Sequence, residues 1–92
     1  MTIYWVDDDE QILELIGMIF PNSNIQKFNH WDKVPALKAG DVVFHDHDGV
    51  GEKPEEVAGV RYFRCSATMD ESIHVDFRKP FDVSSIKKII EN

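Results

Sequence analysis

A single cysteine, Cys65, stands among 92 residues, so no disulfide can close within the chain and apolar packing must build the core alone. Cys65 lies in the apolar run VRYFRC and reads as a small buried strand residue in a reducing compartment. Basic residues are scarce too. Ten Lys and Arg face 17 Asp and Glu, a formal net charge of −7. No basic patch is available to displace counterions from a nucleic-acid backbone, so direct nucleic-acid binding is not expected. Long apolar runs are missing: nothing approaches the ~20 residues of a membrane span. The start MTIYWVDDDE lacks the basic flank of a signal peptide. The expectation is therefore a cytoplasmic location without membrane insertion. Repeats, linkers and low-complexity tracts are also lacking, and 92 residues are too few for two cores. The chain reads as one domain, 1–92. Its 42% hydrophobic and 11% aromatic residues suffice for a core of that size.

Along the chain, short β-type runs alternate with helical periodicity. Ile3-Tyr4-Trp5-Val6 is β-branched and aromatic and predicts a buried strand. From Asp9 to Phe20 the period changes: Ile12, Leu15/Ile16 and Ile19/Phe20 recur at helical spacing, and Pro21-Asn22 ends the segment. Ile25 to Phe28 predicts a second strand. His30 to Leu37 predicts a short helix, compromised by Pro35, which disfavours helical backbone at Val34. Asp41 to His45 predicts the third strand, followed by the turn-rich DGVGEKP, with one helical turn at most in Glu55 to Ala58. Val60 to Cys65 and Val75 to Arg78 predict the fourth and fifth strands. Asp82 caps a last helix whose apolar face is Val83, Ile86, Ile89 and Ile90. Strands alternating with helices argue for an α/β fold with a parallel sheet.

Acidity is concentrated in DDDE at 7–10 and HDHD at 45–48. Carboxylates packed so closely repel one another unless a cation or a lysine compensates. Four polar strings end apolar runs: Val6-Asp7-Asp8, Phe44-His45-Asp46, Cys65-Ser66-Ala67 and Arg78-Lys79-Pro80. In α/β sheets, ligands collect outside the carboxyl ends of the strands. Three acids, a hydroxyl and a lysine gathered there would form a small oxyanion site with room for a divalent cation. That combination points to phosphoryl chemistry on an aspartate. Each piece has a plainer explanation in isolation. Adjacent aspartates after a strand often only cap a helix, and a lysine before proline is usually a surface residue. His45 and His47 suggest a transition-metal site, but strand alternation turns both away from Asp46.

In their order, VDDDEQIL, DVVFHD, CSA and RKPFD resemble the receiver domains of two-component response regulators, and the likeness runs from Ile3 to Ile90. The resemblance implies a flavodoxin-like three-layer sandwich, a five-stranded parallel sheet of order 2-1-3-4-5 with its site at the switch point between strands 1 and 3. Position by position, it makes Asp46 the phosphoacceptor and Asp7 and Asp8 the acidic pair that holds Mg2+. Asp48 stands where the family offers a backbone carbonyl to the metal. Ser66 matches the family's hydroxyl residue and Lys79 its lysine, with a cis Lys79-Pro80 peptide. Magnesium chemistry agrees, because that ion takes oxygen ligands and keeps several waters. Asp8 and Asp46 suit direct ligation, and Asp7 suits ligation through water.

The chain also departs from the family. Too few residues separate Ser66 from Lys79 for an average helix plus strand 5, so the family's fourth helix is expected to be missing or reduced. The third is squeezed between Gly49 and Gly59. The switch aromatic three residues before the lysine is replaced by Asp76, and Gly49 and Gly51 replace the usual proline after the acceptor loop.

As implied by the resemblance, the function is that of a phosphorylatable signalling module. It would accept a phosphoryl group on Asp46 from a histidine kinase or phosphotransfer protein and act through a downstream protein partner. Its only catalysis would be its own phosphorylation and dephosphorylation. One alternative is a degenerate receiver that serves as a protein-binding module. Another starts from Asp46-His47-Asp48-Gly49, which reproduces the DxDG motif of haloacid-dehalogenase-type phosphatases. That family adds a late acidic pair, which is lacking after Lys79.

Overall fold

Four consecutive residues that each bury their side chain, Ile3–Val6, form β1, an interior strand of the sheet. The computed structural model describes residues 1–91. After β1 come α1 (Glu10–Ile19), β2 (Ile25–Phe28), a 3-10 turn (Trp31–Lys33), β3 (Val42–Asp46), β4 (Arg61–Ser66), β5 (Phe77–Arg78) and α2 (Val83–Ile90). All neighbouring strands run parallel, in the order β2-β1-β3-β4-β5. The flavodoxin-like order expected from the sequence is therefore present. Its direction of winding reverses between β1 and β3.

The two faces of the sheet are covered differently. Ile3, Trp5, Val42, Phe44 and Cys65 face α1 and α2 and pack with Leu13, Ile16, Ile86 and Ile90. Trp5 stacks on Phe44 with centroids 4.5 Å apart and meets Phe81 edge-on, contacts worth about 1 kcal/mol each beyond their area. Tyr4, Val6 and Val43 point the other way, onto Trp31 and Val50. No α-helix covers that second face among the described residues; the 3-10 turn and loops form the layer. Both helices are capped by an aspartate, Asp9 accepting from Gln11 N–H and Asp82, as expected, from Ser84 N–H. Cys65 is fully buried, and burial pushes its thiol up to about 12, so it stays protonated.

Three local expectations need correction. The helix predicted over His30–Leu37 is only the turn Trp31–Lys33, because Val34 before Pro35 is already extended (φ −77°, ψ 127°). Glu55–Ala58 contains no helical turn, within the expected limit of one. The fifth strand begins at Phe77 rather than Val75. Asp76 Oδ2 there accepts the Arg64 N–H at 2.7 Å while its own N–H donates to the Arg64 carbonyl at 2.8 Å. A side chain thus holds the β4 edge donor where a longer strand would pair. At the third strand the shift is one residue: β3 begins at Val42, and the buried carboxylate of Asp41 accepts N–H groups from Thr2 and Lys38.

The reduced fourth helix is borne out. Between β4 and β5, Asp70 accepts from the Ser72 N–H and hydroxyl and closes a turn instead. The Lys79-Pro80 peptide is cis.

Candidate functional site

The carboxyl ends of β1 and β3 lie side by side, with Val6 opposite His45, so the residues that follow them meet at the switch point. Asp7 is fully buried, and both its oxygens are used. Oδ1 accepts the Asp9 N–H at 2.9 Å, and Oδ2 accepts from Lys79 Nζ at 2.8 Å. Lys79 Nζ also lies 3.5 Å from Asp46 Oδ2. One lysine therefore bridges the acid after β1 and the acid ending β3. Carboxylate oxygens of Asp7, Asp8 and Asp46 all lie within 4.8 Å of one another, a group that could hold a metal ion.

Electrostatics at Asp46 follow from this crowding. Burial raises its pKa above the ordinary value, the neighbouring charge of Asp7 raises it further, Lys79 opposes, and Asp8 adds a smaller push upward. At Lys79, burial disfavours the ammonium, but the hydrogen bond to Asp7 and the charges of Asp7 and Asp46 outweigh it. Its pKa ends above the ordinary lysine value. Three carboxylates against one ammonium leave an excess of negative charge that a hard divalent cation would balance.

Asp8 is exposed, and its position depends on Gly49. A Cβ at Gly49 would overlap the Asp8 carboxylate, and Gly49 has φ +79°, which L side chains rarely adopt. Gly49→Ala is therefore expected to displace Asp8 and weaken divalent-cation binding about tenfold, or ~1.4 kcal/mol. Calorimetric titration of the variant with MgCl2 checks this, and an unchanged affinity would take Asp8 out of the site.

The other sequence-derived residues fall as follows. Ser66 is buried at the end of β4, and its Oγ accepts the Thr68 N–H at 3.0 Å, which leaves its own proton to donate. Its carbonyl accepts the Lys79 N–H at 3.0 Å and so ties the β5 end to β4. Asp48 is exposed, and its Oδ1 accepts the Gly49 N–H at 2.9 Å; it does not join the carboxylate group. His45 points to the opposite face, as strand alternation requires, between Trp31 and Tyr62. Burial, with the charges of Lys53 and Arg64, lowers its pKa to about 4 and keeps it neutral. His47 is exposed and belongs to no metal-ligand group among the described residues.

Sequence reasoning missed Gly49's packing role and the cations around His45. The pairing of a glycine with a crowded acid pair was the only available signal for the first. No family model, curated protein or solved structure matches this chain. Fold and site geometry thus carry the functional reading. Among the described residues, no helix is long and apolar enough to cross a membrane.

Proposed function

We propose that this chain is a trimmed receiver domain of the two-component response-regulator type. It takes a phosphoryl group onto Asp46 from a histidine kinase or phosphotransfer protein and signals through a downstream protein partner. The observation that carries this reading is Lys79 Nζ, held 2.8 Å from Asp7 and 3.5 Å from Asp46 at the switch point of a 2-1-3-4-5 sheet. A lone strand-end acid would support many readings. An acid between two further carboxylates and a lysine is suited to receive a phosphoryl group.

The donor set fits Mg2+, with Asp8 and Asp46 as the carboxylates free to hold it. Asp7, whose oxygens are both engaged, would act through water, and Asp48 would offer its backbone carbonyl, as the resemblance implies. When bound, the ion supplies positive charge opposite the phosphoryl oxygens. In the transfer, an Asp46 carboxylate oxygen bonds to phosphorus as the P–N bond to the donor imidazole breaks. The electron pair stays on the ring nitrogen, and an acyl phosphate results. Lys79 sits beside the acceptor oxygen and donates to the phosphoryl group, stabilising charge where it develops. The Ser66 hydroxyl donates to another phosphoryl oxygen. Burial of Asp7 fixes Lys79 in place before any ligand arrives.

Asp76 in the switch-aromatic position is tied to the Arg64 backbone and to His74 Nε2 at 2.8 Å. Output by rotation of an aromatic residue there is therefore not part of this proposal. The partner reads the loop after β4 or the surfaces of α1 and α2. Incubation with acetyl phosphate and MgCl2, followed by intact mass, tests the reading. A gain of one phosphoryl group that disappears with EDTA is expected. A folded protein that gains nothing overturns this reading.

A further inference from the structure

The sheet face without helices opens into two adjoining cavities beside Asp46. The first, about 230 Å3, is lined by Trp31, His45, Asp46, His47, Lys53 and Arg64. The second, about 190 Å3, shares His45, Lys53 and Arg64 with it and extends toward Tyr62, Glu56 and Asp76. Two of the chain's ten basic side chains thus converge on one concavity in a strongly acidic protein. Their own partners satisfy them incompletely. Arg64 has five N–H donors, and among the described residues its side chain makes one hydrogen bond, Nη1 to the His74 carbonyl at 3.4 Å. Lys53 lies 4.7 Å above the Tyr62 ring and pairs with Glu56, whose carboxylate is exposed. His45, Trp31 and Tyr62 supply aromatic walls to the two lobes.

We propose that this double cavity binds a small phosphate-bearing molecule, its phosphate held between Lys53 and Arg64 and its organic part against Trp31. Arg and Lys together match a tetrahedral oxyanion, the guanidinium through paired N–H groups and the ammonium as a point charge. The volume exceeds what a bare ion needs. At ~30 Å3 per water the first lobe alone has room for about seven waters. The site differs from the carboxylate group: it lies on the opposite face of the sheet and uses neither Lys79 nor Ser66. Asp46 borders it, so negative charge on Asp46 opposes the anion, and by reciprocity the anion opposes added negative charge on Asp46.

Inorganic phosphate, titrated without divalent cations and followed by amide 1H–15N shifts, tests this independently of phosphoryl transfer. Saturable shifts centred on residues of β4 and the Lys53 loop are expected. Lys53→Gln and Arg64→Gln should each weaken binding about tenfold, the loss of one charge-assisted hydrogen bond. Lys87→Gln, an exposed position on α2 beyond the other face of the sheet, should leave the affinity unchanged. Asp46→Asn, which has no phosphoacceptor carboxylate, should bind phosphate more tightly, as should Glu56→Gln, an exposed substitution that leaves Lys53 unpaired. Glycerol phosphate should bind more tightly than inorganic phosphate. Non-saturable shifts in the wild type overturn the site. So does an affinity that Lys53→Gln, Arg64→Gln and Glu56→Gln all leave unmoved, or one that Lys87→Gln weakens as much as Lys53→Gln and Arg64→Gln do.

Discussion

Asp46→Asn is expected to abolish phosphoryl uptake from acetyl phosphate, while raising the stability of the metal-free protein. The first effect follows from chemistry: an amide oxygen is too weak a nucleophile to form the mixed anhydride, and no other carboxylate is placed to replace it. Asp7 has both oxygens engaged, and Asp8 lies against Gly49. The second follows from charge. Burial, then the charge of Asp7, raises the Asp46 pKa above the ordinary aspartate value. The folded state therefore binds a proton more tightly than the unfolded chain does. Stability attached to this group is greatest below the unfolded value and is lost as pH rises through the folded value. At neutral pH the ionised carboxylate is a net burden, which asparagine removes while keeping the shape. Thermal unfolding in EDTA should show a higher Tm for the variant at pH 7 and a smaller difference near pH 4. MgCl2 should then stabilise wild type more than the variant, since the variant has lost one carboxylate ligand. A variant that still gains one phosphoryl group would move the acceptor elsewhere. A variant less stable than wild type in EDTA would show that the carboxylate is not strained by its neighbours.

Much of this site was legible because each of its residues follows an apolar run directly. Val6-Asp7 and Phe44-His45-Asp46 mark strand ends by a change from β-branched or aromatic residues to acids, and strand ends of a parallel sheet share one edge. The β2-β1-β3-β4-β5 order came with the resemblance, not with the pattern, since hydrophobic alternation says nothing about which strands are neighbours. Element ends were less readable. Asp41 and Asp76 look like strand residues in sequence but act as side-chain acceptors for backbone N–H groups, and such local hydrogen bonds compete with the ladder without altering its periodicity. The cavities between Lys53 and Arg64 were invisible for a different reason. They exist because the helices that would cover Tyr4, Val43 and Tyr62 are absent, and no run of residues encodes an uncovered face.

Lys79→Met should destabilise the metal-free protein by about 3 kcal/mol, the lower end of the cost of breaking a buried ion pair by removing one partner. Asp7 is the reason. Its side chain has no exposed surface, Lys79 is its only cationic partner among the described residues, and a methionine keeps the lysine stem's packing without the charge. The lower end applies because the Lys79 side chain is 18% exposed, which lets water replace part of the lost interaction. The Lys79 pKa is raised in the folded state, so its contribution is fully present below the ordinary lysine value and is lost only as pH rises through the raised one. The wild-type pair is therefore intact across the neutral range, and urea denaturation at pH 7 reads the whole effect. Without Lys79, the main opposing influence on Asp46 is gone and its pKa rises further, so the variant should regain stability as pH falls toward 5. Two controls separate charge from packing. Asp7→Asn combined with Lys79→Met should be more stable than Lys79→Met alone, because no uncompensated carboxylate is then buried. MgCl2 should rescue Lys79→Met by a larger shift in midpoint than it gives wild type, since the ion then neutralises a carboxylate group that has lost its ammonium. A double variant no better than the single one, with no added response to MgCl2, would mean that Lys79 holds the β5 end by packing alone and that the bridge between Asp7 and Asp46 carries no charge compensation.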